Sequence, residues 1–498
     1  MGDSRAQAYA LVSLGGLYEQ KGQWLEAQKL TQQSLVLAQA FNAPEIAYRS
    51  SWQLGRLLKA TGDEKGAIAA YTEAVNTLKS LRNDLAAINS EVQFSFREGV
   101  EPVYRELVGL LLQPPASSSS PLVGEITSQE RLEVARKVIE SLQLAELDNF
   151  FRSACLNTKP VQIDAVDQKA AVIYPIILAD RLEIILSLPQ QRLRRYTTSL
   201  PKEQIESTLR QLRSQLFNPI SQRFLPLSQQ VYNWLIRPIE TDLSKSEVKT
   251  LVFVLDGSLR NVPMAVLHDG KQYLTQKYAI ALTPGLELLE PRSLVRGRLK
   301  ILKAGLSEAR QGFNALPAVK MELEQIQSQI PGKVLLNQEF TKTAIQKAID
   351  AVSFPVVHLA THGQFSSKAE ETYILTWDDR INVNELSNLL EKTDLRRSTP
   401  IELLVLSACE TAKGDNRAAL GIAGVAVRAG ARSTLATLWQ VNDRATAVLM
   451  VRFYQELTKP GVTKAEALRR AQLSILQDRQ YGEHPYYWAS FVLVGNWL

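Results

Sequence analysis

The imidazole of His362 and the thiol of Cys409 are the residues of this chain best suited to act together as base and nucleophile. Each ends an apolar run. Phe354-Pro355-Val356-Val357-His358-Leu359-Ala360-Thr361 leads into His362-Gly363, and Leu403-Leu404-Val405-Leu406-Ser407-Ala408 leads into Cys409-Glu410-Thr411. Runs of this kind read as buried strands, which places both groups at strand carboxyl ends, where sites form in parallel sheets. The two lie 47 residues apart, room for one crossover helix near Asn384 and its loops. A thiol of pKa ~8.5 is little ionised at neutral pH. Attack on a peptide carbonyl therefore needs an imidazole that holds the thiolate and later protonates the leaving amine. The backbone N–H of Gly363, with that of Cys409, can point at the developing oxyanion. The bland reading stands beside this one: a buried cysteine usually packs as a small hydrophobe, and a buried histidine is usually a satisfied core residue.

The other reactive side chains make weaker cases. His358 shares strand parity with Ala360 and His362, so its ring either approaches the site or packs beneath it, and support is the favoured role. A zinc chelate of His358 and His362 fails, because i, i+4 histidines converge on a helix and this segment reads as a strand without the intervening Glu. No metal and no cofactor are expected. His268 and His484 sit in turn-rich contexts, and Cys155 has no histidine near it in sequence, so all three read as structural.

The bulk properties fit an ordinary folded chain. With 498 residues, 45% hydrophobic and 22% charged, two or three domains can each bury a core. The net charge is +6, with basic residues scattered among nearly as many acids, so the footprint of a nucleic-acid binder is missing for this chain alone. No secretory signal is visible from Met1 to Leu17. The longest apolar candidate, Ala170 to Leu188, is broken by Asp180, Arg181 and Glu183, so no membrane span is expected. Two cysteines, Cys155 and Cys409, give neither a disulfide framework nor a zinc site, and a cytoplasmic location is the expectation.

The first hundred residues repeat. Leu14-Gly15, Gly22, Ala27 and Ser34 recur 40 residues later as Leu54-Gly55, Gly62, Ala67 and Ala74. Small residues at these spacings let two helices approach, with Gly22 and Gly62 at the turns. The pattern resembles the tetratricopeptide repeat, with a period longer than its usual ~34, which implies longer helices or a longer loop. A third helix pair is expected from Leu85 to Gln113. Residues 1–113 are thus a helical repeat region and 114–127, containing Pro114 to Pro121, a Pro/Ser linker. Residues 128–249 hold helices and a hairpin of Ala171 to Leu178 with Arg181 to Leu186. From 250 to 498, short apolar strands alternate with helices, predicting an α/β, mostly parallel sheet covered by helices on both faces. The expected helices include Ala418 to Ala429.

The segments around the reactive pair resemble the CHAT family, caspase-like peptidase domains related to caspases and separase. The resemblance rests on His358, His362 and Gly363, on Ser407-Ala408-Cys409-Glu410-Thr411 with Gly414, on Gly421 to Gly430, and on Ala436-Thr437-Leu438-Trp439-Gln440-Val441-Asn442-Asp443. It continues through Phe453-Tyr454 to Trp488, Phe491 and Gly495. It implies a caspase-type fold with His362 as base and Cys409 as nucleophile. In separase-like relatives an acid in the Trp-x-Val-x-Asp region helps bind a basic residue before the cut, which makes Asp443 an S1 candidate for Arg or Lys. The alternative is a helix N-cap. Asp415 is a rival acid, and Trp439 either lines the same pocket or belongs to the core. The resulting expectation is a cysteine endopeptidase acting on a protein substrate, with repeats that recruit a substrate or activator. The competing one is an interaction scaffold whose peptidase domain is a switch or a relic. Lys413 and Arg417 are candidate points of self-cleavage.

Overall fold

The computed structural model describes residues 3–85, 96–113, 127–151, 167–285, 293–295, 299–366, 371–396, 401–411, 431–482 and 484–498, with only the backbone at 82–85, 97, 150, 151, 387, 391–396 and 408–411. The chain divides into two compact units, Met1–Cys155 and Leu156–Leu498.

The first unit opens with two helical hairpins, α1 (Ser4–Gln20) with α2 (Trp24–Ala40) and α3 (Pro44–Ala60) with α4 (Glu64–Leu85). The long period has a simple origin. Helices of 17 residues alternate with three-residue turns, so the helices and not the loops are extended. Gly22 and Gly62 take φ of +68° and +86° at those turns, a region that side chains disfavour. Gly15 and Gly55 serve a different purpose. A methyl on Gly15 would stand 2.9 Å from Thr31 Oγ1, and one on Gly55 2.8 Å from the Tyr71 ring, so each glycine is what lets its hairpin close. Buried Ser34 bonds the Ala8 carbonyl at 2.7 Å and Ser50 at 2.9 Å, tying α2 to both neighbours. Of the third pair, a π-helical turn, Phe96–Val100, runs into α5 (Glu101–Leu111), while 86–95 lie outside the described residues.

A helix follows at Ser128–Phe151 (α6), packed on α5 and grouped with the first unit. The boundary drawn from the Pro/Ser stretch thus shifts: the segment 128–151 joins the helical unit, because its apolar side is covered by α5 and α4. The division at 249/250 also moves, since the hairpin strand β1 (Ala170–Ile177) pairs in parallel with β4 (Thr250–Phe253) and both lie in one sheet. Pro114 to Pro121 fall outside the described residues.

The second unit is built on that sheet. Its remaining strands are β2 (Arg181–Ser187), β3 (Arg194–Ser199), β5 (Ala279–Leu282), β6 (Ile301–Gly305), β7 (Gly332–Leu336), β8 (Val356–Phe365), β9 (Tyr373–Leu375), β10 (Arg380–Asn382), β11 (Leu403–Thr411), β12 (Ser433–Thr437) and β13 (Phe491–Gly495). The order is β10-β9-β8-β11-β12-β13-β5-β4-β1-β2-β3, with β6 joining β7 to β8. The sheet has two parallel runs, β7-β6-β8-β11-β12 and β13-β5-β4-β1, which meet antiparallel at β12 and β13, while the hairpin strands β9, β10, β2 and β3 add antiparallel pairs at the edges. Helices that matter for the site are α7 (Ala318–Gln329), α8 (Val383–Arg396) and α9 (Asp443–Leu457). The α/β architecture is the one expected of a caspase-like fold. The link from β8 to β11 carries the β9–β10 hairpin as well as α8, an addition that strands of three residues left hidden in the sequence.

Candidate active site

The strands that carry Cys409 and His362, β11 and β8, are neighbours. In the parallel ladder of β8 and β11, Ser407 stands opposite Ala360 and Cys409 opposite Gly363. From Ala360 to Gly363 is three steps and from Ser407 to Cys409 only two. The extra residue lies on β8, so Thr361 and His362 share one opposing position. Such a bulge interrupts strand alternation and re-aims side chains. Thr361 turns inward, its hydroxyl donating to the Leu375 carbonyl at 2.7 Å, while the His362 ring is half-buried.

The loop between β6 and α7 meets that ring. Phe313 stacks on it, with centroids 4.9 Å apart and planes 29° from parallel. His362 Nε2 lies 2.8 Å from the Asn314 carbonyl oxygen. A carbonyl only accepts, so Nε2 carries the hydrogen and the lone pair of the neutral ring sits on Nδ1. The loop is fixed by a tight turn in which Gln311 and Gly312 take φ of 48° and 85°. Arg310 further holds it, donating from Nε to the Trp377 carbonyl at 2.9 Å. Neither Phe313 nor Asn314 was singled out from sequence. A backbone acceptor leaves no side-chain signature, and the Gln-Gly turn was the only available signal.

Beneath the site lies a buried polar network. His358 is fully buried, with Nε2 2.9 Å from Glu322 Oε1 and Nδ1 3.1 Å from the Tyr454 hydroxyl. Ser407 donates to Glu322 Oε1 at 3.2 Å and lies 3.4 Å from His358 Nε2. In the neutral ring, Nε2–H donates to the carboxylate and Nδ1 accepts from Tyr454. Burial, and then the Glu322 charge, hold the Tyr454 hydroxyl far above its usual pKa. These four side chains join β8, β11, α7 and α9. His358 therefore has its partners on α7, α9 and β11. Glu322 was missed, because one acid within an amphipathic helix looks like any solvated residue.

Asp443 is also at hand. Asn442 caps α9, its side chain accepting from the Ala445 N–H, so the capping alternative falls to the neighbouring residue. The Asp443 carboxylate instead accepts at 2.8 Å from the Ala318 N–H, the start of α7. Burial raises its pKa, the Ala318 N–H lowers it, Glu322 raises it and His362 lowers it, which puts this acid within electrostatic reach of the ring.

Trp439 is 2% exposed, donates from Nε1 to the Tyr486 carbonyl at 3.2 Å and packs edge-on against Phe217, which makes it a core residue. His484 is buried and bonded to the Ser221 carbonyl, and His268 accepts from the Gly270 N–H within its turn. Asp415, Lys413, Arg417, Gly414, Gly421 to Gly430, the helix expected from Ala418 to Ala429, and Cys155 lie outside the described residues. Among the described residues no cluster of three or more His, Cys, Asp or Glu fits a metal ion, and no helix is long and apolar enough to cross a membrane.

A sheet with a histidine and a cysteine on adjacent parallel strands, in a chain that also carries helical repeats, defines a caspase-like protein of the repeat-bearing kind. The chain belongs to the CHAT-domain family, which matches residues 225–496. It is similar to Tetratricopeptide repeat protein 28 of Homo sapiens, 22% identical over 329 residues, covering 54% of this chain and 13% of that protein. The chain thus spans about an eighth of that relative's length. Among solved structures it resembles the Saccharomyces cerevisiae separase–securin complex, at 10% identity and a TM-score of 0.47, covering 98% of this chain and 47% of the other. It also resembles the complex of Porphyromonas gingivalis RgpB pro- and mature domains, at 8% identity and a TM-score of 0.33, covering 59% and 76%. Both scores lie below 0.5, so the assignment rests on the family match.

Proposed function

We propose that this chain is a cysteine endopeptidase. The observation that carries the reading is the pairing of Cys409 with Gly363, one residue past a histidine whose Nε2–H is held by a carbonyl. In the proposed cycle Nδ1 of His362 takes the Cys409 proton, and the thiolate adds to the substrate carbonyl. The N–H groups of Gly363 and Cys409 stabilise the oxyanion. His362 then gives its proton to the leaving amine as the C–N bond breaks, and water hydrolyses the remaining thioester.

Asp443 is the favoured S1 acid, selecting Arg or Lys before the cut, with Asp415 as its rival. The repeats recruit a protein substrate or an activator, and the reducing cytoplasm suits an unpaired catalytic thiol. The test is a positional-scanning peptide library on wild type and Cys409→Ala. Cleavage after Arg or Lys, lost to background in the variant, supports the reading. Cleavage that survives Cys409→Ala contradicts the nucleophile, and a preference for Asp contradicts the S1 assignment.

A further inference from the structure

A cavity of about 420 Å³ opens one residue past Gly363, lined by Gln364, Glu371, Tyr373, Arg380 and Asn382. It is built by the β9–β10 hairpin. Gln364 on β8 stands opposite Tyr373 on β9, which stands opposite Asn382 on β10, and Arg380 is two residues back on that last strand. Residues in such register share one face of a sheet. The hairpin extends the sheet from the edge of β8 away from β11, so the order across the surface is nucleophile strand, His362 strand, then this pocket.

The pocket is joined to the site through aromatic rings. The Arg380 guanidinium lies 4.7 Å from the Tyr373 ring centroid and 5.8 Å from that of Phe313, the ring stacked on His362. Stacking on two rings holds the planar fork in place and leaves its edge open to a carboxylate. Among the described residues Arg380 makes no ion pair. Asn382 accepts through Oδ1 from the Glu385 N–H, which leaves its amide N–H2 to donate. The pocket's own acid, Glu371, accepts from the Ser366 hydroxyl at 3.0 Å.

His362 protonates the departing amine, so the chain after the scissile bond leaves on the His362 side, toward the hairpin. We propose, resting on the peptidase reading above, that this pocket is a primed-side subsite taking an Asp or Glu side chain, with Arg380 as its specificity residue. The two ring contacts that separate Arg380 from His362, of 4.9 and 5.8 Å, correspond to about three extended residues at ~3.3 Å each. The acid therefore falls at one of the first three positions after the cut.

The test uses the full chain and two kinds of substrate. A fluorogenic peptide ending in Arg, whose dye is the leaving group, has no primed residues and reports the peptidase alone. Internally quenched peptides with Glu or Lys at each of the first three primed positions report the subsite, read as the ratio of kcat/KM for Glu over Lys within each protein. Wild type is expected to favour Glu about fivefold, as a partly exposed ion pair would give. Arg380→Glu should invert the ratio and the milder Arg380→Gln should bring it to about one. A ratio below one in wild type, or one that neither variant moves, overturns the subsite while the fluorogenic peptide still reports activity. Wild type that cleaves neither substrate overturns the peptidase reading and the subsite with it.

Discussion

In the hairpins of residues 4–85, fit depends on small residues at a fixed spacing, each making room for one neighbour: Gly15 for Thr31, Gly55 for Tyr71. Around His362, fit depends on a relay of polar contacts among elements distant in sequence. Glu322 from α7 and Tyr454 from α9 meet His358 from β8, and Glu322 also meets Ser407 from β11. The two regions should therefore fail differently. A bad substitution in a hairpin is a local packing error, whereas one in the relay removes a partner from β8, β11, α7 and α9 together.

The relay should be the more costly to break. Glu322→Ala leaves the His358 N–H and the Ser407 hydroxyl without their shared acceptor, and each buried donor left unsatisfied costs ~1–3 kcal/mol. Urea unfolding of Glu322→Ala, His358→Ala and the double variant should show coupling above ~1 kcal/mol. Additive losses would mean that the contacts are incidental.

Gly55→Ala should cost ~2 kcal/mol, because the added methyl meets a ring that cannot yield without moving its helix. Its effect is expected on the thermal transition of the helical unit, and an unchanged melting profile would show that the hairpin is looser than its 2.8 Å spacing implies.

Lys464 gives a third case, within the sheet unit but outside the relay. Its ammonium is fully buried, has no hydrogen-bond partner among the described residues, and is pushed by desolvation down to about 8 from 10.5. Between those values the unfolded chain holds more protons than the folded one, so stability rises with pH across that interval. Lys464→Met should stabilise the fold by ~1–2 kcal/mol at neutral pH and flatten that rise. A destabilised variant would mean that the charge is doing structural work.

The smallest effect concerns Asp443, whose pKa burial raises. A carboxyl that keeps its proton to higher pH loses its attraction for a cation earlier as the solution is acidified. KM for peptides with Arg before the cut should climb as pH falls through that raised pKa, and Asp443→Asn should abolish the dependence. A pH-independent KM in wild type would leave this acid without a role in substrate selection.

Much of this was legible in the sequence, and the gaps have physical causes. The 40-residue repeat and the apolar strands are local patterns, so the hairpins, the sheet and the two strands that carry His362 and Cys409 followed from them. The bulge at Thr361 and His362 was not legible, because it exists only in the pairing of β8 with β11. Parity alone put 358, 360 and 362 on one face, and one extra residue ends that alternation. Glu322 and the Asn314 carbonyl were hidden for the same reason, since their meaning comes from what folding brings beside them. The grouping of helix Ser128–Phe151 with the first unit was not legible, because composition marks a linker but not which core a helix covers.

The most direct measurement is labelling of the full chain with a peptidyl acyloxymethyl ketone carrying Arg at its reactive end, followed by mass spectrometry. Cys409 should carry the adduct in wild type, and His362→Ala should slow its formation at neutral pH at least ~100-fold, the scale on which a positioned base contributes. Equal labelling of Cys409 with and without His362, or labelling of Cys155 at a comparable rate, would contradict the pair as base and nucleophile.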